Sequence, residues 1–503
     1  MTAPKEPSYL TKTRYVNGLA CQKWLWLAFN SPGRLPKADE SAQFHMDEGR
    51  QVGELARTRY SGGVLLPTDA PRENDQRSRK LLDKRMPLFE AGFIHPNGSC
   101  YARADVLLPA GEDEWDLVEV KSGGSVQEEH LHDVAFQRHC YIGAGLRLRR
   151  CSLLHINTKY QRSGEIDSLS LFEEEDITDR VRALAPTIEP RIAGLLAIVK
   201  SSECPEFGRG EPFHKDEAGV HAEDALWKKH PDSDILTLYR GGKQAIGLLQ
   251  AGVYRIRDIP KSVLRGKQLI QHAAHTGGKV HADRKAIAAF LATLRYPLHF
   301  LDFETFGTAI PLFDESKPYQ QIPFQFSVHV VKAPGQRPAH HSYLSMEAED
   351  PRSGLLESLR RVVGCEGSLV AYNQSFEKRI LSDLASLLPE HADWVREANK
   401  RFVDLMAPFR EFAYYNPSQG GSASLKVVLP AVTGQGYTGF EIANGSQASI
   451  AYLNATFGTP GGKQASTERM EATREALERY CGRDTEGMVW IVEKLAELSG
   501  VGA

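Results

Sequence analysis

The sequence predicts a multidomain α/β protein, and three observations carry that prediction. At 503 residues the chain is too long for one hydrophobic core, so about three compact units are expected. With 41% hydrophobic and 25% charged residues, it has the composition of a globular chain that can fill those cores. Two apolar stretches, one ending near Lys121 and one near Glu304, read as strands that finish on clustered charges. Each is followed by segments of helical periodicity.

Charge and composition exclude several classes. A formal net charge of −3 rules out a histone-like, purely electrostatic nucleic-acid binder, though a local basic groove remains compatible with it. No apolar run approaches the roughly 20 residues that span a bilayer. The first dozen residues lack the apolar centre of a secretory signal. Seven scattered cysteines, an odd number, argue for a reducing, cytoplasmic setting rather than a disulfide scaffold.

The first unit is expected over 9–195. A short helix is expected around Leu19, Trp24, Leu27 and Ala28, a longer one over Asp39–Tyr60, and helical spacing from Arg77 to Ala91 leads into a strand over Phe89–Ile94. Its chemistry lies further on. Tyr101–Leu108 reads as a strand carrying Asp105, and after a Gly-Glu-Asp-Glu turn, Trp115–Ser122 reads as a strand carrying Glu119 and Lys121. Residues two apart in a strand share a face, and a hairpin brings Asp105 to the same place. An Asp and a Glu can hold a divalent ion that acidifies water, and Lys121 can orient or help deprotonate that water. Downstream, Leu131–Tyr141 reads as a helix with Gln137 and Tyr141 four apart on one face.

Together these motifs resemble the RecB-type branch of the PD-(D/E)XK nucleases, which includes RecB-like nucleases associated with CRISPR adaptation. The resemblance implies a restriction-endonuclease-like fold with Asp105 and Glu119 as metal ligands. Lys121, Gln137 and Tyr141 would be catalytic residues, with Glu90 a further acid nearby. Such relatives often hold an iron–sulfur cluster on one early Cys and three later ones. Cys21 and Cys204 fit the first and second of these, but no other Cys follows Cys204 in this region. Four thiolates are the usual holder, so no cluster is expected and the two cysteines read as remnants. A substitute site with His214 and His221 has no support in the spacing.

Residues 196–295 read as a helical connector, with amphipathic pieces at Ile235–Tyr239 and Lys243–Ala251. A hairpin-like turn is expected over Gly252–Pro260, and the segment is basic enough to touch a phosphate backbone.

The last unit is expected over 296–500. Leu298–Thr305 is an apolar strand that presents Asp302 and Glu304 on one face. Two convergent carboxylates are costly to hold together without a cation, and Mg²⁺ or Mn²⁺ suits an all-oxygen site. Strands follow at Phe324–Val331, His340–Leu344 and Ser368–Asn373, with a helix over Gly354–Val363 between the last two. A helix then opens at Gln374–Glu377, and a long helix over Glu468–Leu495 puts Tyr480 and Asp484 on one face. This pattern resembles the DEDD exonucleases on an RNase H-like mixed sheet, in their tyrosine form. The resemblance implies two-metal hydrolysis with Asp302, Glu304, Glu377 and Asp484 as ligands and Tyr480 positioning water. Glu377 departs from the usual Asp. Val403–Leu405 and Ser424–Lys426 resemble that family's middle region.

The pairing of the two resemblances is similar to an uncharacterised bacterial family. The function expected from it is a metal-dependent nuclease acting on DNA in preference to RNA, with two centres, in repair or defence. The alternatives are a single active centre beside a binding platform, an RNA-processing exonuclease, or a non-enzymatic adaptor. No membrane association is expected, and protein partners are not specified.

Overall fold

Six strands form the sheet of the N-terminal unit, in spatial order β1 (Val64–Leu65), β2 (Leu88–Ile94), β3 (Tyr101–Ala110), β4 (Glu114–Lys121), β5 (Arg147–Ile156) and β6 (Phe172–Asp176). This is a computed structural model, which describes residues 9–67, 70–205, 233–458 and 465–500. Contacts divide the chain into two compact units. One comprises Met1–Lys228 with Thr308–Tyr319, the other Lys229–Gly307 with Gln320–Ala503. Both are mixed α/β.

In the N-terminal unit β2, β3 and β4 run antiparallel, while β4 and β5 are parallel. A parallel pair needs a crossover, and the helix Glu128–Gly143 supplies it. One sheet face packs Leu117 and Leu153 against Val134 and Phe136 of that helix, and against Ile188 and Leu195 of the helix Thr178–Lys200. The other face packs Val106, Val118 and Leu154 against Val52 and Ala56 of the helix Glu40–Arg57. The helix expected to run from Arg77 towards Ala91 lies instead over Pro71–Leu82, because β2 claims the residues from Leu88 onward. Cys21 separates two N-terminal helices, Lys12–Ala20 and Gln22–Asn30.

The second unit is built on a five-stranded sheet in the order β10 (Ala339–Leu344), β9 (Ile322–Val331), β8 (Leu298–Phe306), β11 (Ser368–Ala371) and β12 (Phe402–Asp404). The pairs β10–β9 and β9–β8 are antiparallel, whereas β8–β11 and β11–β12 are parallel. The pleat sorts the side chains of β8. Leu301 and Phe303 pack with helices Arg352–Val363 and Ser375–Leu387, while Leu298 and Phe300 face the helix Thr467–Ser499. Asp302 and Glu304 continue the second face. Three buried polar ties register the long helix on β9. Gln325 Nε2 donates to the Leu477 carbonyl (3.0 Å), while Thr485 Oγ1 meets Ser327 Oγ (2.7 Å) and His329 Nδ1 (2.8 Å).

The segment expected as an independent connector over 196–295 does not form a unit of its own. Its described part from 233 onward belongs with the C-terminal unit. The strand β7 (His281–Ala282) pairs with β13 (Tyr414–Tyr415), Gln271 Nε2 donates to the Tyr415 hydroxyl (3.1 Å), and Lys267 bonds Glu411 (2.8 Å). Ile287, on the helix Arg284–Leu291, enters the core beside the long helix.

Candidate functional site

The C-terminal acids come from three elements. Asp302 and Glu304 lie at the end of β8, Glu377 in the first turn of the helix Ser375–Leu387, and Asp484 near the middle of the long helix. Glu304, Glu377 and Asp484 are 5%, 2% and 6% exposed. Asp302 is the member that senses all the others. Burial first, then the charges of Asp484, Glu304 and Glu377, push its carboxyl well above the ordinary range. Glu304 is raised in the same way by burial and by Asp484, with Lys426 working against the rise. Burial also lifts Asp484 to about 6, against hydrogen bonds from Tyr437 and Tyr480 and the charge of Lys426. Glu377 rises to about 8 through burial, with Asp404 adding to it, and its Oε2 finds no hydrogen-bond partner among the described residues.

Three residues of this site were not assigned a role by sequence. Cys481 follows Tyr480 on the long helix, with Sγ 3.8 Å from Asp302 Oδ2. Asp302, Glu304 and Cys481 each offer an atom within 4.8 Å of the others. Tyr437 reaches Asp484 from a loop whose sequence carries no periodic signal. Lys426, from the stretch noted as the middle region, lies 4.9 Å from the centre of the Tyr480 ring. Asp404, from the same region, is occupied locally, accepting from the Asn373 and Met406 amides (both 3.0 Å) and pairing with Arg410 (3.1 Å). The oxygen-rich donor set, the orphaned Glu377 oxygen and the scarcity of compensating charge all fit a hard divalent cation.

In the N-terminal unit Asp105 lies one position beyond the Val106–Val118 pair, and so faces Glu119 across the β3–β4 hairpin. Asp105 Oδ2 accepts from the Val120 amide (2.7 Å). Glu119 is 1% exposed. Its Oε1 meets Lys121 at 2.8 Å and Lys12 at 2.5 Å, and its Oε2 accepts from Gln137 Nε2 at 2.8 Å. Asp133 joins the cluster, 2.6 Å from Lys121 and 3.0 Å from Gln137. Burial and Asp105 act to raise Glu119, but Lys12 and Lys121 outweigh them and hold it below the ordinary range. Burial acts to lower Lys121, yet Asp133, Glu119 and Asp105 hold it well above the ordinary value. Lys121 is therefore a cation at neutral pH, suited to orienting water or phosphate rather than to taking a proton. Asp133 precedes Gln137 by four residues and Tyr141 follows it by four, so one helix face carries all three.

The Tyr141 hydroxyl, expected to be catalytic, is engaged by the strand backbone. Fully buried, it accepts from the Ala104 amide (2.8 Å) and donates to the Ala91 carbonyl, which ties β2 to β3. Glu90 is likewise engaged elsewhere, pairing with Arg103 at 2.6 Å. Cys21 caps the helix Gln22–Asn30 through Sγ (3.3 Å from the Trp24 amide). Cys204 is half-buried, and His214 and His221 lie outside the described residues.

Residues 299–424 match the model of a domain of unknown function, DUF2779. That stretch contains Asp302, Glu304 and Glu377 but neither Tyr480 nor Asp484. No curated protein matches the chain.

Two outcomes follow. Tyr141→Phe strands a buried amide and a carbonyl, and should cost about 1–3 kcal/mol in chemical denaturation while leaving the carboxylate cluster intact. Glu377 is a carboxyl held above its unfolded value. Its penalty therefore builds as pH rises from about 4.5 and is complete above about 8. In a chelator, Glu377→Gln should match the wild type near pH 5 and exceed it by on the order of 1–4 kcal/mol above pH 8. Histidine titrations are common to both proteins and cancel. Adding Mn²⁺ should reverse the order, and melting curves across that window provide the check.

Proposed function

We propose that this protein is a metal-dependent nuclease that hydrolyses phosphodiester bonds of DNA, with its principal centre at Asp302, Glu304, Glu377 and Asp484. The observation that carries the reading is the approach of Asp302 and Glu304 to within 4.8 Å, with the charges of Asp484 and Glu377 acting on Asp302 and little positive charge to match them. The strand order of the second sheet, 3-2-1-4-5 in chain order with only the first three strands antiparallel, supports an RNase H-like fold. The β3–β4 hairpin with Asp105, Glu119 and Lys121, followed by the Gln137 helix, supports a PD-(D/E)XK-like fold for the N-terminal unit.

Mg²⁺ or Mn²⁺ bound among these acids supplies a Lewis acid and a water acidified enough to attack at neutral pH. Asp302, central to the cluster, is the ligand on which binding depends most. Glu304 and Asp484 would hold the cation with it, and Glu377 would contribute the oxygen that has no hydrogen-bond partner among the described residues. Tyr480, whose hydroxyl acts on Asp484, would orient the attacking water. Lys426 offers a positive charge to a phosphate oxygen. In the N-terminal unit Asp105 and Glu119 are the metal-holding acids, and Lys121 is the cation that steadies water or phosphate.

A panel of end-labelled single- and double-stranded DNA and RNA in Mn²⁺ tests this. Stepwise shortening of DNA is expected, faster than that of RNA. Asp302→Ala should slow it by about a hundredfold or more, and Lys121→Ala should remove a separate part of the activity. Undiminished cleavage in the double variant, or no cleavage of any substrate by the wild type, contradicts the reading.

A further inference from the structure

The same problem, buried carboxylates facing each other, is solved differently in the two units. At the C-terminal cluster Lys426 is the one lysine among the described residues that acts with Asp302, Glu304 and Asp484. At the N-terminal cluster Asp105, Glu119 and Asp133 face both Lys121 and Lys12. Lys121 belongs to the motif. Lys12 does not, and it comes from 107 residues away along the chain. Its Nζ lies 2.5 Å from Glu119 Oε1 and 3.9 Å from Asp105 Oδ1, bridging the two acids that would hold a metal ion.

Lys12 is held in that position. Leu10 bridges to Cys100, just before β3, with its amide on the Ser99 carbonyl (2.9 Å) and its carbonyl receiving the Tyr101 amide (3.1 Å). Thr11 caps the helix that follows, and Tyr15 stacks on Phe136 of the crossover helix at 4.8 Å. Lys12 is therefore the first residue of a helix whose first turn contains no acid. A cation there opposes the helix dipole, a local cost that the facing carboxylates offset. The Lys12 side chain keeps 23% of its surface exposed.

We propose that Lys12 is the resident cation of the N-terminal site, bridging Asp105 and Glu119 when no metal is bound and competing with a divalent ion for the same two carboxylates. Metal entry displaces the ammonium towards solvent, where a substrate phosphate is its natural acceptor. The N-terminal site therefore binds divalent metal more weakly than it would without Lys12. This rests on reading Asp105 and Glu119 as metal ligands.

The test uses the full-length chain carrying Asp302→Asn and Asp484→Asn, so that the C-terminal cluster is silenced, with Mn²⁺ alone as the probe. Free Mn²⁺ is counted by electron paramagnetic resonance. Lys12→Met and Lys12→Gln should each tighten Mn²⁺ binding by about tenfold or more, Lys12→Arg should leave it weak, and Glu119→Gln should abolish it. Without metal both neutral variants should melt below the parent, and Mn²⁺ should raise their melting temperatures more than the parent's. Binding abolished by Glu119→Gln but no tighter in either neutral variant overturns the role of Lys12 and leaves the metal reading standing. Binding indifferent to Glu119 in every variant overturns the metal reading, and the proposal with it.

Discussion

The clustering of half-buried Asp302 with buried Glu304, Glu377 and Asp484 is the constraint around which the C-terminal unit is arranged. Carboxylates removed from water and brought together repel one another, and burial penalises each charge separately. Protonation relieves this in part, as the raised values of about 6 for Asp484 and about 8 for Glu377 indicate. A divalent cation relieves it more fully and keeps the oxygens ionised. The packing around the cluster is correspondingly specific. The pleat of β8 turns Asp302 and Glu304 to one face, and the ties from Gln325 and Thr485 fix the height of the long helix so that Asp484 arrives opposite them. Apolar packing on both faces of the sheet holds the charges in place against their mutual repulsion.

The N-terminal unit contains the same kind of charge with its compensation built in. Glu119 is enclosed by two ammonium groups and one amide, so it remains ionised despite burial. The two clusters therefore differ in electrostatic state although both are built from carboxylates. One carries excess negative charge that a metal would relieve, and the other already has internal counter-ions.

Much of this was legible in the sequence wherever the pattern was local. Asp302 and Glu304, Glu119 and Lys121, and Tyr480 and Asp484 are pairs fixed by strand or helix periodicity, and each pair emerges where that periodicity puts it. What escaped was fixed by distance along the chain. Lys12 reaches Glu119, and Tyr437 reaches Asp484, through tertiary packing with no periodic trace. Tyr141 has the expected helical spacing, yet its hydroxyl is used by the strand backbone, which spacing cannot reveal. The described residues of 233–295 read as a solvated connector because their short apolar segments find their partners around Phe412 and Tyr415. Glu377, the departure from the resembled pattern, nonetheless lies near enough to Asp302 to raise it.

The central claim is that the four C-terminal acids form a cation site. Anomalous diffraction from crystals soaked in Mn²⁺, at an energy above the manganese edge, tests it most directly. The account predicts manganese bound to the Asp302 carboxylate and shared with at least one of Glu304, Glu377 and Asp484, and lost in Asp302→Asn. A cluster without manganese at saturating metal, its carboxyls unchanged in position, would contradict it.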